Sequence, residues 1–444
     1  MSEQLDLAAK LVDCALQNGA ETADAMVSEG ISLSASSRLG KIEDVERAET
    51  KETGLRVIIG QKQAFISGSG LSENDLNKIA KRAVDMARLA PDDPYCGLAP
   101  KDRLAKSFED LDILDPTEPD IKLLQNLALE TEATARGVAG ITNSEGAGAG
   151  WSRGTTGLVT SDGFSGSYTA SSWSLSCAVL GGEGEAMERD YAAHGSRHFE
   201  DLETPQQIGQ RAAERTLARL NPRKIASTKA PVIFSPRVSK SLLGHFASAI
   251  SGSAVARGTS FLKEKMGAQI FASGINIIDD PKRKRGLRSL SFDGEGVAVE
   301  KLNLIENGIL QCWLLDSSAA KQLGLETNGR AARGIGGPPH PTTTNLHIEA
   351  GALSPEEMQK QIGTGLLVTE LIGMGVNGVT GDYSRGAAGY WIESGEIAYP
   401  VSEITIASNL MDMFQNLTPA SDLEFKHGVN APSLLINEMS LAGL

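Results

Sequence analysis

The sequence contains no apolar run near the roughly 18–20 residues that a membrane-spanning helix requires, so no such helix is expected. Its first residues, Met1-Ser2-Glu3-Gln4-Leu5-Asp6, carry neither a basic segment nor an apolar one, and no secretory signal is expected there. Cysteine is scarce. Cys14, Cys96, Cys177 and Cys312 are scattered and form no C-x-x-C pair, which fits a reducing compartment, with the cytoplasm as the expected location. Basic charge is also in deficit, since 42 Lys and Arg stand against 56 Asp and Glu for a net charge of −14. Nucleic-acid binding draws its affinity from cations that neutralise phosphates, so this balance argues against it. The one basic run, Lys282-Arg283-Lys284-Arg285, follows Asp279-Asp280-Pro281 and reads as a solvated turn.

What remains is the composition of a folded protein: 41% hydrophobic and 22% charged residues in a chain of 444, long enough for two domains. Leu5, Ala8, Leu11, Val12, Ala15 and Leu16 recur at helical spacing before Gly19. Strands are predicted over 25–34, 41–48, 54–59 and 64–68, with a hairpin at Gly60-Gln61-Lys62. A second helix carries Leu76, Ile79, Ala83 and Met86, capped by Ser72 with Asp75 and closed by Pro91. After an acidic, proline-bearing connection over 108–120, a helix passes through Leu123, Leu124 and Leu127. Antiparallel strands are predicted across the Gly/Ser/Thr-rich stretch 146–184, and another helix after Pro205. The domain boundary is placed near 221–231. Beyond it, Asn307-Gly308 and Ser394-Gly395 sit between strand-like runs, including 297–305 and 308–314, as hairpin turns. The expected class is α+β: an N-terminal domain over 1–225 with antiparallel sheet and helices, and a C-terminal domain over 226–444 dominated by antiparallel sheet.

Several motifs fail on context. Gly150-Trp151-Ser152-Arg153-Gly154 matches the nucleophile-elbow pattern, but strand-forming residues follow where that device needs a helix. Gly373-Met374-Gly375-Val376-Asn377-Gly378 matches a dinucleotide fingerprint, yet it follows a helix-like segment, 365–372, in reversed order. Of six histidines, His194 and His198 have i, i+4 spacing, but Gly195-Ser196 between them argues for loop histidines at the surface. His340 lies in a rigid Pro338-Pro339-His340-Pro341 loop, and His347 in a strand-like run that could face a core or a cleft.

Ordered segments of the second half resemble the TldD/PmbA metalloprotease family. They are Arg257-Gly258-Thr259-Ser260, then Asp279-Asp280-Pro281 with Phe292-Asp293-Gly294-Glu295-Gly296, then Arg333-Gly334 and 338–346. Arg385-Gly386-Ala387-Ala388-Gly389-Tyr390-Trp391 follows, and the closing block 395–410 completes the series. One branch of that family, TldD, carries a helical H-E-x-x-x-H that supplies two zinc ligands and the general base, with a later cysteine as third ligand. Such a set is what zinc needs to activate a water. The corresponding helix here reads Gly244-His245-Phe246-Ala247-Ser248-Ala249-Ile250, and the later segment reads Lys426-His427-Gly428. Phe246 replaces the glutamate, Ile250 the second histidine, and no cysteine follows Cys312.

The resemblance therefore implies the PmbA (TldE) branch: a subunit with no catalytic or metal-binding residues of its own and no bound cofactor. Zinc is expected in a TldD-like partner. It implies pairing with that subunit, or with a second copy of this chain, around a chamber for peptide substrates, with His245 a satisfied histidine on its helix. Residues expected to face the cleft or partner are His245, Arg257, Thr259, His340, Asn345 and His347. A rival reading gives the chain its own hydrolytic site from His340 or His347 with Asp382 or Glu393. A third makes it a regulatory homodimer.

Overall fold

In the computed structural model, which describes residues 3–69 and 73–443, an antiparallel sheet in the first half and a mixed, mostly antiparallel system in the second divide the chain. Helix α1 (Glu3–Gln17) leads into three long strands, β1 (Thr22–Arg38), β2 (Lys41–Ile59) and β3 (Lys62–Ser69). Helices α2 (Glu73–Leu89) and α3 (Ile121–Arg136) follow, then β4 (Ile141–Thr160), β5 (Ser165–Gly181), β6 (Glu188–Ser196) and α4 (Pro205–Ala218). The strands form one sheet in the order β3-β2-β1-β4-β5-β6. The expected strands 41–48 and 54–59 are one continuous β2, paired with β1 from Lys41 to Ile58. Ser72, the expected cap of α2, lies outside the described residues.

The four helices cover one face of this sheet in two pairs. Leu11 and Val12 of α1 and Leu76 and Val84 of α2 pack on Val27, Leu55 and Val57. Leu124 of α3 and Ile208 of α4 pack on Trp151 and Trp173, which face each other across β4 and β5 with ring centroids 6.4 Å apart. Period-2 burial along β5 puts Trp173, Leu175, Cys177 and Val179 on this face, as a half-buried strand requires. Helix α4 begins where the sequence signals it. Thr204 and Gln207 form a reciprocal capping box around Pro205.

The second half starts with β7 (Thr228–Phe234), α5 (Pro236–Ala249) and α6 (Gly252–Ala256). Short elements come next: β8 (Ile277–Asp279), β9 (Leu302–Glu306), β10 (Ile309–Leu310), α7 (Ser317–Leu323), β11 (Ala331–Ala332), β12 (His340–Pro341), β13 (Leu346–Ile348) and α8 (Pro355–Ile362). Long strands β14 (Gly365–Ile372), β15 (Asp382–Glu393) and β16 (Glu396–Asn409) precede α9 (Leu410–Gln415), β17 (Leu417–Pro419), β18 (Val429–Asn430) and β19 (Leu434–Ala442). The order β16-β15-β14-β7-β19-β17 curls round, because β16 also pairs with β19 at residues 405–407. Phe234, Leu242, Phe246, Val368, Ile406 and Leu434 meet in the core it encloses. The fold is α+β, as expected.

Three local expectations need correction. Residues 365–372 are strand β14 rather than helix-like, held between β7 and β15; Val368, Thr369 and Ile372 suit that pleated setting better than a helix. The run 297–305 is strand only from Leu302, because the Asp293 carboxylate takes the backbone N–H groups of Glu295, Val297 and Ala331 and folds the preceding segment into turns. The run 308–314 is strand only at Ile309–Leu310. Both predicted hairpin turns are present, with φ of 48° and 82° at Asn307 and Gly308 and of 54° and 80° at Ser394 and Gly395.

The two halves are tied by charge. Lys282 pairs with Glu109, and Arg285 with Asp112, Glu200 and Asp201, so the basic run is a staple between the halves rather than a free solvated turn. Arg219 reaches Glu188 and Asp190 on β6 and Glu370 on β14. Asp24 on β1, fully buried, is held between Arg56 and Arg333. Burial alone would raise its pKa, but the two guanidiniums bring it below the usual carboxylate range. No described helix is long and apolar enough to cross a membrane.

Candidate functional site

Helix α5 starts where β7 ends, with Ser235 at the cap and Pro236 in the first turn, where the missing N–H costs nothing. Its apolar residues Val238, Leu242, Leu243, Phe246 and Ala249 enter the core. That leaves His245 at the border, half-buried, on a cleft of about 530 Å³. Arg257 and Thr259 line the same cleft from the segment after α6, and Arg385 from β15. The His245 ring meets the Tyr383 ring edge-on, centroids 6.0 Å apart.

The polar atoms here are under-satisfied. His245 Nε2, Tyr383 Oη and Arg385 Nε are buried without a hydrogen bond of proper geometry to another protein group. His245 is therefore not the satisfied histidine expected from sequence. Burial and, after it, the Arg385 charge push its pKa below the ordinary value, so the imidazole is neutral near pH 7. Burial raises the Tyr383 phenol, with Arg385 opposing, so its proton stays on. The neutral imidazole and the guanidinium line the cleft, with the phenol buried behind them, and are donors suited to a carbonyl or carboxylate oxygen. Beside them the end of β14 and the loop that follows expose Ile372 (58%), Met374 (89%) and Val379 (56%), an apolar lip that the Phe261 N–H anchors on Gly378 O at 3.0 Å.

Of the six residues expected at a cleft, the structure brings His245, Arg257 and Thr259 together. His340 lines an adjoining cleft of about 350 Å³, to which Arg257 also contributes. Asn345 is buried elsewhere: its Nδ2 donates to Asp280 O and Ser289 Oγ, and its Oδ1 accepts from Arg288 N. His347 on β13 lies against Phe425, away from the cleft. Asp382 bonds with Thr380 and Asn409, and Glu393 accepts from Tyr399 Oη. Among the described residues, no hydrogen bond or ion pair joins either carboxylate to His340 or His347.

His194 and His198 are not surface-loop residues. His194 sits on β6 and accepts from Glu203 N at 3.2 Å, and His198 is buried with Nε2 2.9 Å from Asp112 O. His427 lies in a different cavity from His245. Tyr383 and Arg385 escaped sequence reasoning as a pair. Their i, i+2 spacing on a strand, which places both on one face, was the available signal.

No three His, Cys, Asp or Glu side chains among the described residues gather as a ligand set, and none of the six histidines is followed by glutamate. The family models match in order. Residues 23–87 match the PmbA/TldA metallopeptidase domain 1, 114–220 its central domain, and 227–443 its C-terminal domain. The metalloprotease PmbA of Escherichia coli O157:H7 is 41% identical over 96% of this chain and 92% of its own length. The chain belongs to the PmbA/TldD metallopeptidase family.

A second relative, the metalloprotease PmbA homolog of Haemophilus influenzae, is 38% identical over 97% of this chain and 94% of that protein. Among solved structures, a Bacteroides thetaiotaomicron protein named as a candidate modulator of DNA gyrase superposes with a TM-score of 0.92 at 27% identity, covering all of both chains. TldE from Thermococcus kodakarensis shares the fold with a TM-score of 0.87 at 22% identity, over 98% of this chain and 99% of its own. In this PmbA/TldD chain the family-like segments mostly build structure. Asp279 and Arg330 form a buried ion pair, and Asp293 and Glu295 accept backbone N–H groups.

Proposed function

We propose that the chain is a PmbA/TldE-like subunit of a cytoplasmic TldD/PmbA-type peptidase complex, without catalysis of its own. It shapes the chamber and holds peptide for a zinc-bearing TldD-like partner. The observation that carries this reading is the cleft on α5, lined by His245 and Arg385 over the buried Tyr383, where each of the three keeps a buried polar atom without a protein partner and Phe246, not glutamate, follows the histidine. Peptide hydrolysis of the family's kind needs a metal-bound water and a carboxylate base. The groups here instead suit the holding of a backbone carbonyl, and the apolar lip suits a partner or an apolar side chain. An effect on DNA gyrase would be indirect, given the net charge of −14.

The test is to purify the chain alone and with a TldD-like subunit, then measure zinc content and cleavage of an unstructured peptide. The expected result is neither zinc nor cleavage from the chain alone, and both from the pair. Stoichiometric zinc with cleavage by the lone chain would overturn the proposal.

A further inference from the structure

A second cavity, also of about 530 Å³, opens between the two halves of the chain, walled by β6 and α4 on one side and by the start of α5 and residues 424–431 on the other. In a chain of net charge −14 its lining is cationic: five Lys or Arg against Asp190 and Glu424. The pairings show which charges are answered. Arg237 bonds Asp190 at 2.6 Å, Lys426 bonds Glu424 at 2.8 Å, and Arg211 pairs with Glu203. Arg215 and Lys240 remain. Arg215 donates only to the carbonyl of Tyr191, at 3.2 Å, and Lys240 has no hydrogen-bond or ion-pair partner among the described residues.

Two half-buried cations without an ion-pair partner are costly to hold, Arg215 with only the nearby Asp190 to offset it and Lys240 with no carboxylate, because desolvation penalises the charged form and neighbouring cations add repulsion. Both are pushed below their ordinary pKa, chiefly by desolvation, with Arg237 adding to each. His427 at the cavity's mouth is pushed down to about 4, by desolvation first and then by Lys240. The start of α5 adds to the positive field, since Ser235 and Pro236 at the helix N-terminus line the cavity. Tyr191, with Arg237 stacked 4.1 Å from its ring centroid, and Tyr390 give the cavity flat walls.

We propose that this inter-domain cavity is a binding site for an oxyanion, the carboxylate of a short peptide or a free phosphate, held between Arg215 and Lys240. The site stands independently of whether the chain has a peptidase partner. The test is calorimetric titration of the full chain at low salt with three probes: inorganic phosphate, a short peptide with a free C-terminal carboxylate, and the same peptide amidated. Binding of phosphate, of the acid peptide, or of both supports the site and identifies the source. The interaction should weaken at least tenfold in Arg215→Gln and in Lys240→Gln. Lys240→Gln should unfold at the wild-type temperature or above it, since it removes an unanswered charge. The proposal is overturned if none of the probes binds, if binding is unchanged in both variants, if acid and amide peptides bind equally while phosphate does not bind, or if Lys240→Gln unfolds clearly lower.

Discussion

Asp279 and Arg330 face each other at 2.5 Å with no solvent exposure on either side chain. The carboxylate also accepts from Thr344 N at 2.7 Å and Thr344 Oγ1 at 2.9 Å, while the guanidinium donates to the carbonyls of Asn328, Gly329 and Glu300. Every strong group in this network is answered. Removing one partner strands a buried charge, which typically costs about 3–5 kcal/mol. Asp279→Ala and Arg330→Leu should each lower the unfolding free energy measured by urea titration by that order, and the double variant should cost less than the sum of the two. Additive losses would show that the two side chains act separately.

The segment with Asp279 resembles a family stretch in sequence, and its structural role is invisible at that level. A sequence reveals that an aspartate stands before Asp280-Pro281, not that Arg330 comes back to meet it 51 residues later. Local signals read well. The α1 stripe, the Asn307-Gly308 turn and the Pro205 start are each set by neighbours within a few residues. Residues 365–372 misled because a short apolar run fits a buried strand and a buried helix equally, and its pairing with β7 decided the matter from outside the segment. The site was half legible. His245, Arg257 and Thr259 line one cleft, whereas Tyr383 and Arg385 come near His245 only through the placement of β15.

Glu295 supplies a pH dependence with a definite sign. Burial first, and Asp293 next, push its pKa well above the ordinary carboxylate range, and burial raises the neighbouring Asp293 with it. The folded state therefore binds this proton more tightly than the unfolded chain does, so stability is lost as pH rises above the ordinary carboxylate range. Glu295→Gln keeps an oxygen for the Ser317 N–H, which the glutamate meets at 2.8 Å, and removes the ionisation. The variant should be more stable than wild type at pH 8, with a flatter melting temperature between pH 5 and 7. An equal slope in both proteins would place the titration elsewhere.

The α5 cleft predicts how substrate handling should change in the proposed complex. Arg385→Gln and His245→Phe should raise KM for an unstructured peptide about tenfold with kcat nearly unchanged, the pattern for lost binding rather than lost chemistry. His245→Phe should also leave the melting temperature unchanged or higher, since it removes a buried Nε2 that has no protein partner. A fall in kcat with unchanged KM would instead place these side chains on the reacting atoms.

Two helical glycines should respond to the same substitution with opposite signs. Replacing an interior helix glycine by alanine gains up to about 1 kcal/mol of propensity when space allows. At Gly209 on α4, a methyl group would stand 2.5 Å from Thr131 O and 2.8 Å from Thr134 Cβ on α3. The neighbouring backbone cannot yield without parting the two helices, and overpacking of that kind costs about 1–3 kcal/mol. At Gly244 on α5, nothing lies within 4 Å of the added carbon. Gly209→Ala should therefore lower the melting temperature and Gly244→Ala should raise it, both read by calorimetry under one condition. A gain at Gly209 would mean that α3 and α4 pack less closely than the structure has them.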